Sequence, residues 1–179
     1  MHNLIALLDR PIVLVGLMGV GKSTVGRRLA VRLGLPFVDS DAAIEEAAGA
    51  SAADVFLRYG EDDFRDGERR LVARLINGEV RVIATGGGAF VDPDTRRLLN
   101  ERAITVWLDA PIDVLAERTG RNNSRPLLRS GNRAATLARL SEERRAMYGE
   151  AQIHVRSNEG AHGTVVDAII AALRERLAA

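Results

Sequence analysis

Residues 12–24 read Ile-Val-Leu-Val-Gly-Leu-Met-Gly-Val-Gly-Lys-Ser-Thr, an apolar run that breaks into glycines and then opens a helix. Gly16, Gly21, Lys22 and Ser23 satisfy G-x-x-x-x-G-K-[ST], the pattern of a loop whose backbone N–H groups converge on one anion. The helix that follows adds its positive dipole end to the same point. In such a cradle Lys22 reaches the outer phosphates and the Ser23 hydroxyl ligates the accompanying magnesium ion. A glycine-rich turn with no ligand would match the same four positions. The flanks favour the cradle: Ile12–Val15 is a short β-rich strand, and Val25, Leu29 and Leu33 recur at helical spacing until Gly34. Of 25 basic residues Lys22 is the only lysine, and the other 24 are arginine. A compact, rotatable ammonium therefore stands at the one place where a phosphate loop uses it.

At 179 residues, 46% hydrophobic and 27% charged, the chain fits one globular domain with a substantial core. A net charge of +1 argues against a chain whose main task is gripping nucleic acid or an anionic membrane. With no cysteine, disulfides and thiolate metal sites are excluded. The start, Met1 to Leu8, is too short an apolar stretch for a signal peptide, and no apolar run approaches the ~20 residues that span a bilayer. A cytoplasmic nucleotide-binding protein is expected.

Working outward, Phe37-Val38 is a second strand ending in Asp39-Ser40-Asp41. A helix-friendly segment runs from Ala42 to Ala48, and Ser51 caps a helix through Arg58. Gly60 separates it from a longer helix, Glu61 to Asn77, with Phe64, Leu71, Val72, Leu75 and Ile76 facing a core. Val80–Ala84 is a third strand, running into Thr85-Gly86-Gly87-Gly88. Asp92-Pro93 begins a helix to about Arg102. Ile104–Leu108 is a fourth strand, and a helix from Pro111 runs to Gly120. Residues 121–133 read as a mobile loop. A helix then runs to Tyr148, Ile153–Val155 is a fifth strand, and Val165–Leu177 a final amphipathic helix. Strands alternating with helices predict an α/β fold: a five-stranded parallel sheet in a three-layer α/β/α arrangement, with ligands at the carboxyl ends of the strands. The phosphate loop makes it of the P-loop NTPase type, nucleoside monophosphate kinase-like.

That topology brings the phosphate loop, Asp39, Asp41 and the glycine triplet to one crevice. Binding magnesium needs one carboxylate, which leaves a second free to accept a proton from a hydroxyl attacking the terminal phosphate. Asp41 equally reads as an Asx-turn and helix cap, since it directly precedes Ala42-Ala43-Ile44. Asp109, at the end of an apolar strand, is a rival for the metal, but Asp109-Ala110-Pro111 reads better as a structural cap. Eight arginines lie between Arg118 and Arg145, against Glu142 and Glu143. Those in the 121–133 loop suggest a lid that closes over phosphates, with Arg125 as its charge donor. An RNA-binding reading is poorer, because the few aromatics are scattered and offer no stacking platform. By spacing alone Arg65 and Glu68 are a helix-surface pair at i, i+3, and Arg144 a surface residue.

Taken together, Gly16–Thr24, Asp39-Ser-Asp41, Gly60-Glu-Asp-Asp-Phe-Arg65-Asp-Gly-Glu68, Thr85-Gly-Gly-Gly88, Arg125-Pro-Leu-Leu128 and Arg144 with Tyr148 resemble the shikimate kinase family in order and spacing across nearly the whole chain. The resemblance implies transfer of the ATP γ-phosphate to the 3-hydroxyl of shikimate, giving shikimate 3-phosphate and ADP on the route to chorismate and the aromatic amino acids. It further implies that Gly19, Val20, Gly21, Lys22, Ser23 and Thr24 bind the ATP phosphates, with Arg118 against adenine and Arg125 on the lid. Ser23 would ligate Mg2+, with Asp39 supporting the metal through water. Asp41 would hold and deprotonate the substrate hydroxyl. Arg65 and Arg144 would grip the substrate carboxylate, Glu68 would orient Arg65, and Gly86, Gly87 and Gly88 would line the substrate. Lys22, Asp41 and Arg125 are the expected catalytic residues, the substrate segment spans about 39–68, and a monomer is expected. Members commonly carry proline where this chain has Ala146, which puts the aim of Arg144 in question.

The rival readings are a related small-molecule kinase acting on gluconate or a nucleoside monophosphate, a GTP-dependent switch, and a catalytically silent nucleotide-binding module. Phe64-Arg65 with Glu68 and the glycine triplet favour shikimate over the first. The Asn-Lys-x-Asp signature of the second needs another lysine.

Overall fold

The computed structural model describes residues 2–120, 132–157 and 162–178. Its elements in chain order are α1 (His2–Leu7), β1 (Ile12–Val15), α2 (Lys22–Leu33), β2 (Phe37–Asp39), α3 (Ser40–Ala48), α4 (Ala52–Ile76), β3 (Val82–Ala84), α5 (Pro93–Arg102), β4 (Ile104–Asp109), α6 (Ile112–Gly120), α7 (Arg133–Tyr148), β5 (Ile153–Arg156) and α8 (His162–Ala178). The strands form one sheet in the order β2-β3-β1-β4-β5. Every pairing is parallel.

The order explains the layers. From β1 the chain moves toward one edge to reach β2, then reverses through β3 and crosses β1 to β4 and β5. Right-handed crossovers in opposite directions put helices on opposite faces. This places α2 on one face and α3 to α7 on the other, and α8, which packs against α2, completes the first. β1 is the centre, with Ile12 in register with Val82 on one side and Ile104 on the other. Both its faces are covered, which is why Ile12 to Val15 is apolar without alternation and wholly buried. The reversal at β1 creates the crevice into which residues 16–21 project.

Local signals account for most boundaries. Gly34 ends α2 in the left-handed conformation, its N–H on the Ala30 and Val31 carbonyls. Ser51 accepts the Asp54 amide at 3.1 Å to start α4, and Asp92 accepts that of Thr95 at 2.8 Å to start α5 behind Pro93. Three readings need correcting. β3 begins at Val82 rather than Val80. The two helices expected on either side of Gly60 are joined, and α4 runs through with a kink where Gly60 adopts φ 84°, ψ 174°. α1 has no counterpart in the sequence reading, because its apolar residues are too few to show a period. It holds by burying Leu4 and packs against α8. Among the described residues no helix is long and apolar enough to cross a membrane.

Candidate active site

The phosphate loop curls through Gly16, Gly19 and Gly21, all at positive φ. It is tightly enclosed: a β-carbon at Gly19 would stand 2.7 Å from Thr119 Cγ2 on α6. Lys22 is buried and its Nζ donates to the Gly16 carbonyl at 2.7 Å and the Leu17 carbonyl at 2.9 Å, so the ammonium lies inside the curl. Val20 is buried, and its carbonyl accepts from Arg118 Nη1 at 3.3 Å. Arg118 therefore reaches across from α6 to the rim of the loop. Thr24 sits on the exposed side of the first turn of α2.

Ser23 connects this loop to the next strand. Its hydroxyl donates to Asp39 Oδ2. The other oxygen, Oδ1, accepts the amides of Asp41 at 3.0 Å and Ala42 at 3.3 Å. Asp39, not Asp41, is thus the N-cap of α3, which corrects the capping alternative for Asp41 and leaves that carboxylate on the first turn for other work. A hydroxyl beside a carboxylate is a hard oxygen pair suited to magnesium. Among the described residues no group of three or more His, Cys, Asp or Glu could hold a metal by itself. Asp109 has other partners: Arg145 Nη2 at 3.4 Å and His154 Nε2 at 3.7 Å.

The acceptor side is assembled around Gly86-Gly87-Gly88. A β-carbon on Gly86 would stand 2.5 Å from Asp41 Oδ1 and 3.2 Å from Glu68 Oε1, and one on Gly88 would lie 2.7 Å from Arg65 Cζ. A side chain at Gly86 or Gly88 would have to push these groups aside, which shows how closely Asp41, Glu68 and Arg65 crowd the turn. Arg65 Nη1 donates to Glu68 Oε2 at 2.6 Å. Glu68 is only 2% exposed, so the pair is not the surface pair its spacing suggested. Burial pushes the Glu68 carboxyl above its ordinary range, opposed by the Arg65 guanidinium and reinforced by the charges of Asp41 and Asp92. Arg144 Nη1 donates to the Gly87 carbonyl at 3.2 Å. α7 remains helical through Ala146, so the missing proline does not turn Arg144 away. A β-carbon at Gly87 would also lie 3.5 Å from Met18 N and 3.8 Å from the Gly16 carbonyl. The glycine turn and the phosphate loop are therefore in contact, and the two halves form one site.

Arg125 and nearly all of the expected lid lie outside the described residues. The sequence reading missed Ser40, whose buried hydroxyl accepts the Gly86 amide at 3.2 Å. Tyr148 was quoted beside Arg144 without a role, and its hydroxyl donates to the Gly87 carbonyl; His162, unremarked in the sequence, has its ring 3.5 Å from where a Gly21 β-carbon would stand. Ser40 was visible between two aspartates, but its partner is 46 residues away, and no local pattern carries that distance.

Comparison with known proteins identifies the family. The family model described as shikimate kinase matches residues 18–174. A shikimate kinase of Rhodopseudomonas palustris is 51% identical over 174 residues, covering 97% of this chain and 86% of that protein. The solved shikimate kinase from Acinetobacter baumannii in complex with shikimate superposes with a TM-score of 0.91 at 37% identity, covering 97% of this chain and 98% of that one. A gluconokinase from Sinorhizobium meliloti, at 22% identity and a TM-score of 0.63 over 93% of each chain, shares the fold. From its loop, its acceptor cluster and these likenesses, the chain belongs to the shikimate kinase family.

Proposed function

We propose that the protein is a shikimate kinase that moves the γ-phosphate of ATP to the 3-hydroxyl of shikimate, yielding shikimate 3-phosphate and ADP for the route to chorismate. The observation that carries this is the contact between Gly87 and the phosphate loop, with Asp41, Arg65 and Arg144 gathered on the same glycine turn. A small acid placed there would meet guanidinium groups with its carboxylate, a carboxylate with its hydroxyl, and the cradle with its phosphoryl donor.

Two arginine forks suit a planar carboxylate. Glu68 fixes one by holding Arg65 Nη1, which leaves its other N–H groups to the substrate. Asp41 orients the 3-hydroxyl and accepts its proton as that oxygen bonds to the γ-phosphorus. The bond from phosphorus to the β–γ bridging oxygen breaks, and ADP leaves with that electron pair. Lys22 exchanges its loop carbonyls for phosphate oxygens and neutralises charge developing there. Ser23 and Asp39 would hold magnesium, which when bound neutralises the β- and γ-phosphates. Arg118, at the loop rim, takes the nucleotide end, and the resemblance assigns Arg125, outside the described residues, to the phosphates. We infer that it acts as a monomer in the cytoplasm.

Purified protein with MgATP should release ADP at least ~10-fold faster when shikimate is added, and gluconate or nucleoside monophosphates should not substitute. An ADP release indifferent to shikimate contradicts the proposal, and stimulation by gluconate alone would reassign the acceptor.

A further inference from the structure

The Gly87 carbonyl is the acceptor of two donors from one helix. Tyr148 Oη donates to it at 2.6 Å and Arg144 Nη1 at 3.2 Å. The two residues are four apart on α7 and so lie on one face of it. A carbonyl oxygen has two lone pairs, and this one has both filled by these bonds. The phenol has little freedom to leave: Tyr148 is 1% exposed, its ring stacked on Phe90 at 6.5 Å and on Trp107 at 6.0 Å. The acceptor sits between two carbonyls that backbone already holds, Gly86 accepting the Ala89 amide at 3.2 Å and Gly88 that of Val91 at 3.1 Å, whereas the Gly87 carbonyl is held by these side chains.

We propose that Tyr148 is a positioning residue for the acid-binding Arg144, acting through the Gly87 carbonyl they share and through its own contact with the guanidinium. The phenol pins the peptide, and the pinned carbonyl gives one guanidinium nitrogen a fixed anchor. The rest of the fork is then aimed at the substrate carboxylate. Burial raises the ionisation range of the phenol, opposed by the charge of Arg144, by the direct contact of its guanidinium with the phenol oxygen, and by the charge of Arg65, so the hydroxyl stays a donor across the working pH range. The inference rests on the assignment of Arg144 to the substrate acid.

Tyr148→Phe keeps the stacked ring and removes only the donor. It should raise KM and Kd for shikimate by about 10-fold, the order expected for losing a hydrogen bond that sets a charged contact. kcat and KM for MgATP should change by less than about 3-fold. The decisive comparison is made in an Arg144→Ala background by calorimetric titration of shikimate. There the Tyr148 change should produce no further loss, because the residue it positions is gone. A lowered melting temperature with unchanged shikimate affinity, or an undiminished loss of affinity in the double variant, overturns the proposal. Wild-type protein that does not use shikimate would instead overturn the functional reading beneath it.

Discussion

The donor half and the acceptor half of the site are built by different means. The phosphate loop hangs from β1, whose residues are wholly buried at the centre of the sheet, and its geometry is set by backbone. The acceptor half is gathered from α3, α4, α7 and the turn after β3, and side chains set its geometry. Its surroundings are looser. A groove of about 710 Å³ lies between α3 and α4 behind Glu68, lined by Ile44, Val55, Phe64 and Leu71. Leu57 and Tyr59, on the same segment, are 79% and 58% exposed. Phosphate binding is thus tied to the most protected part of the molecule, and acceptor binding to a part with less local packing. Substitutions in the two halves should therefore separate kinetically.

The largest separation is expected from Lys22→Met, which removes the ammonium from the cradle. It should lower kcat by ~10²–10³ while shikimate affinity, measured by calorimetry, stays within ~3-fold. Equal loss of both would join the halves more tightly than described. Next comes Gly88→Ala, whose new methyl group would fall on the Arg65 guanidinium. KM for shikimate should rise by about 10- to 100-fold with KM for MgATP unchanged, since displacing a charge-assisted contact costs about 1.5–3 kcal/mol. An unaltered shikimate KM would mean that Arg65 does not bind the acid.

Gly60→Ala tests the kink rather than the chemistry. At φ 84°, ψ 174° an alanine is strained by about 1–3 kcal/mol, so thermal unfolding should fall by roughly 2–10 °C. No change would show that α4 straightens without cost. The smallest effect concerns pH. The folded Glu68 carboxyl ionises above its ordinary value of 4.5, so the native state binds the proton more tightly than the unfolded chain does. Its contribution to stability is complete below that value and is lost as pH rises through the raised one. Glu68→Gln should flatten the stability profile across the pH range above 4.5 in which that contribution is lost, as read by thermal unfolding at successive pH values. A profile parallel to wild type would contradict the raised ionisation.

What was legible in the sequence follows the same division. The phosphate loop is contiguous, so its strand, glycines, lysine and helix start could be read in order, and the alternation of strands with helices gave the parallel sheet. Asp39 was readable as a strand-end carboxylate. That it both caps α3 and holds Ser23 was not, because the second partner comes from another element. Arg65 and Glu68 looked like a surface pair because i, i+3 spacing says nothing about which face is buried; the turn at Gly86–Gly88 packs against both, leaving Glu68 buried and Arg65 half-buried. Arg144 carried no signal of its own, and the partner of Tyr148 is a carbonyl 61 residues away. Family resemblance supplied these positions, and the packing supplies their reasons.

The central claim is that Asp41 serves the acceptor hydroxyl in a cleft shared with the phosphate loop. Single-turnover transfer from γ-labelled ATP to shikimate by Asp41→Asn, with ATP affinity measured on the same protein, tests it most directly. The account predicts label transfer slowed by ~10²–10⁴ with ATP affinity within ~3-fold of wild type. Transfer at the wild-type rate, or a loss of ATP affinity in proportion to the loss of rate, would contradict it.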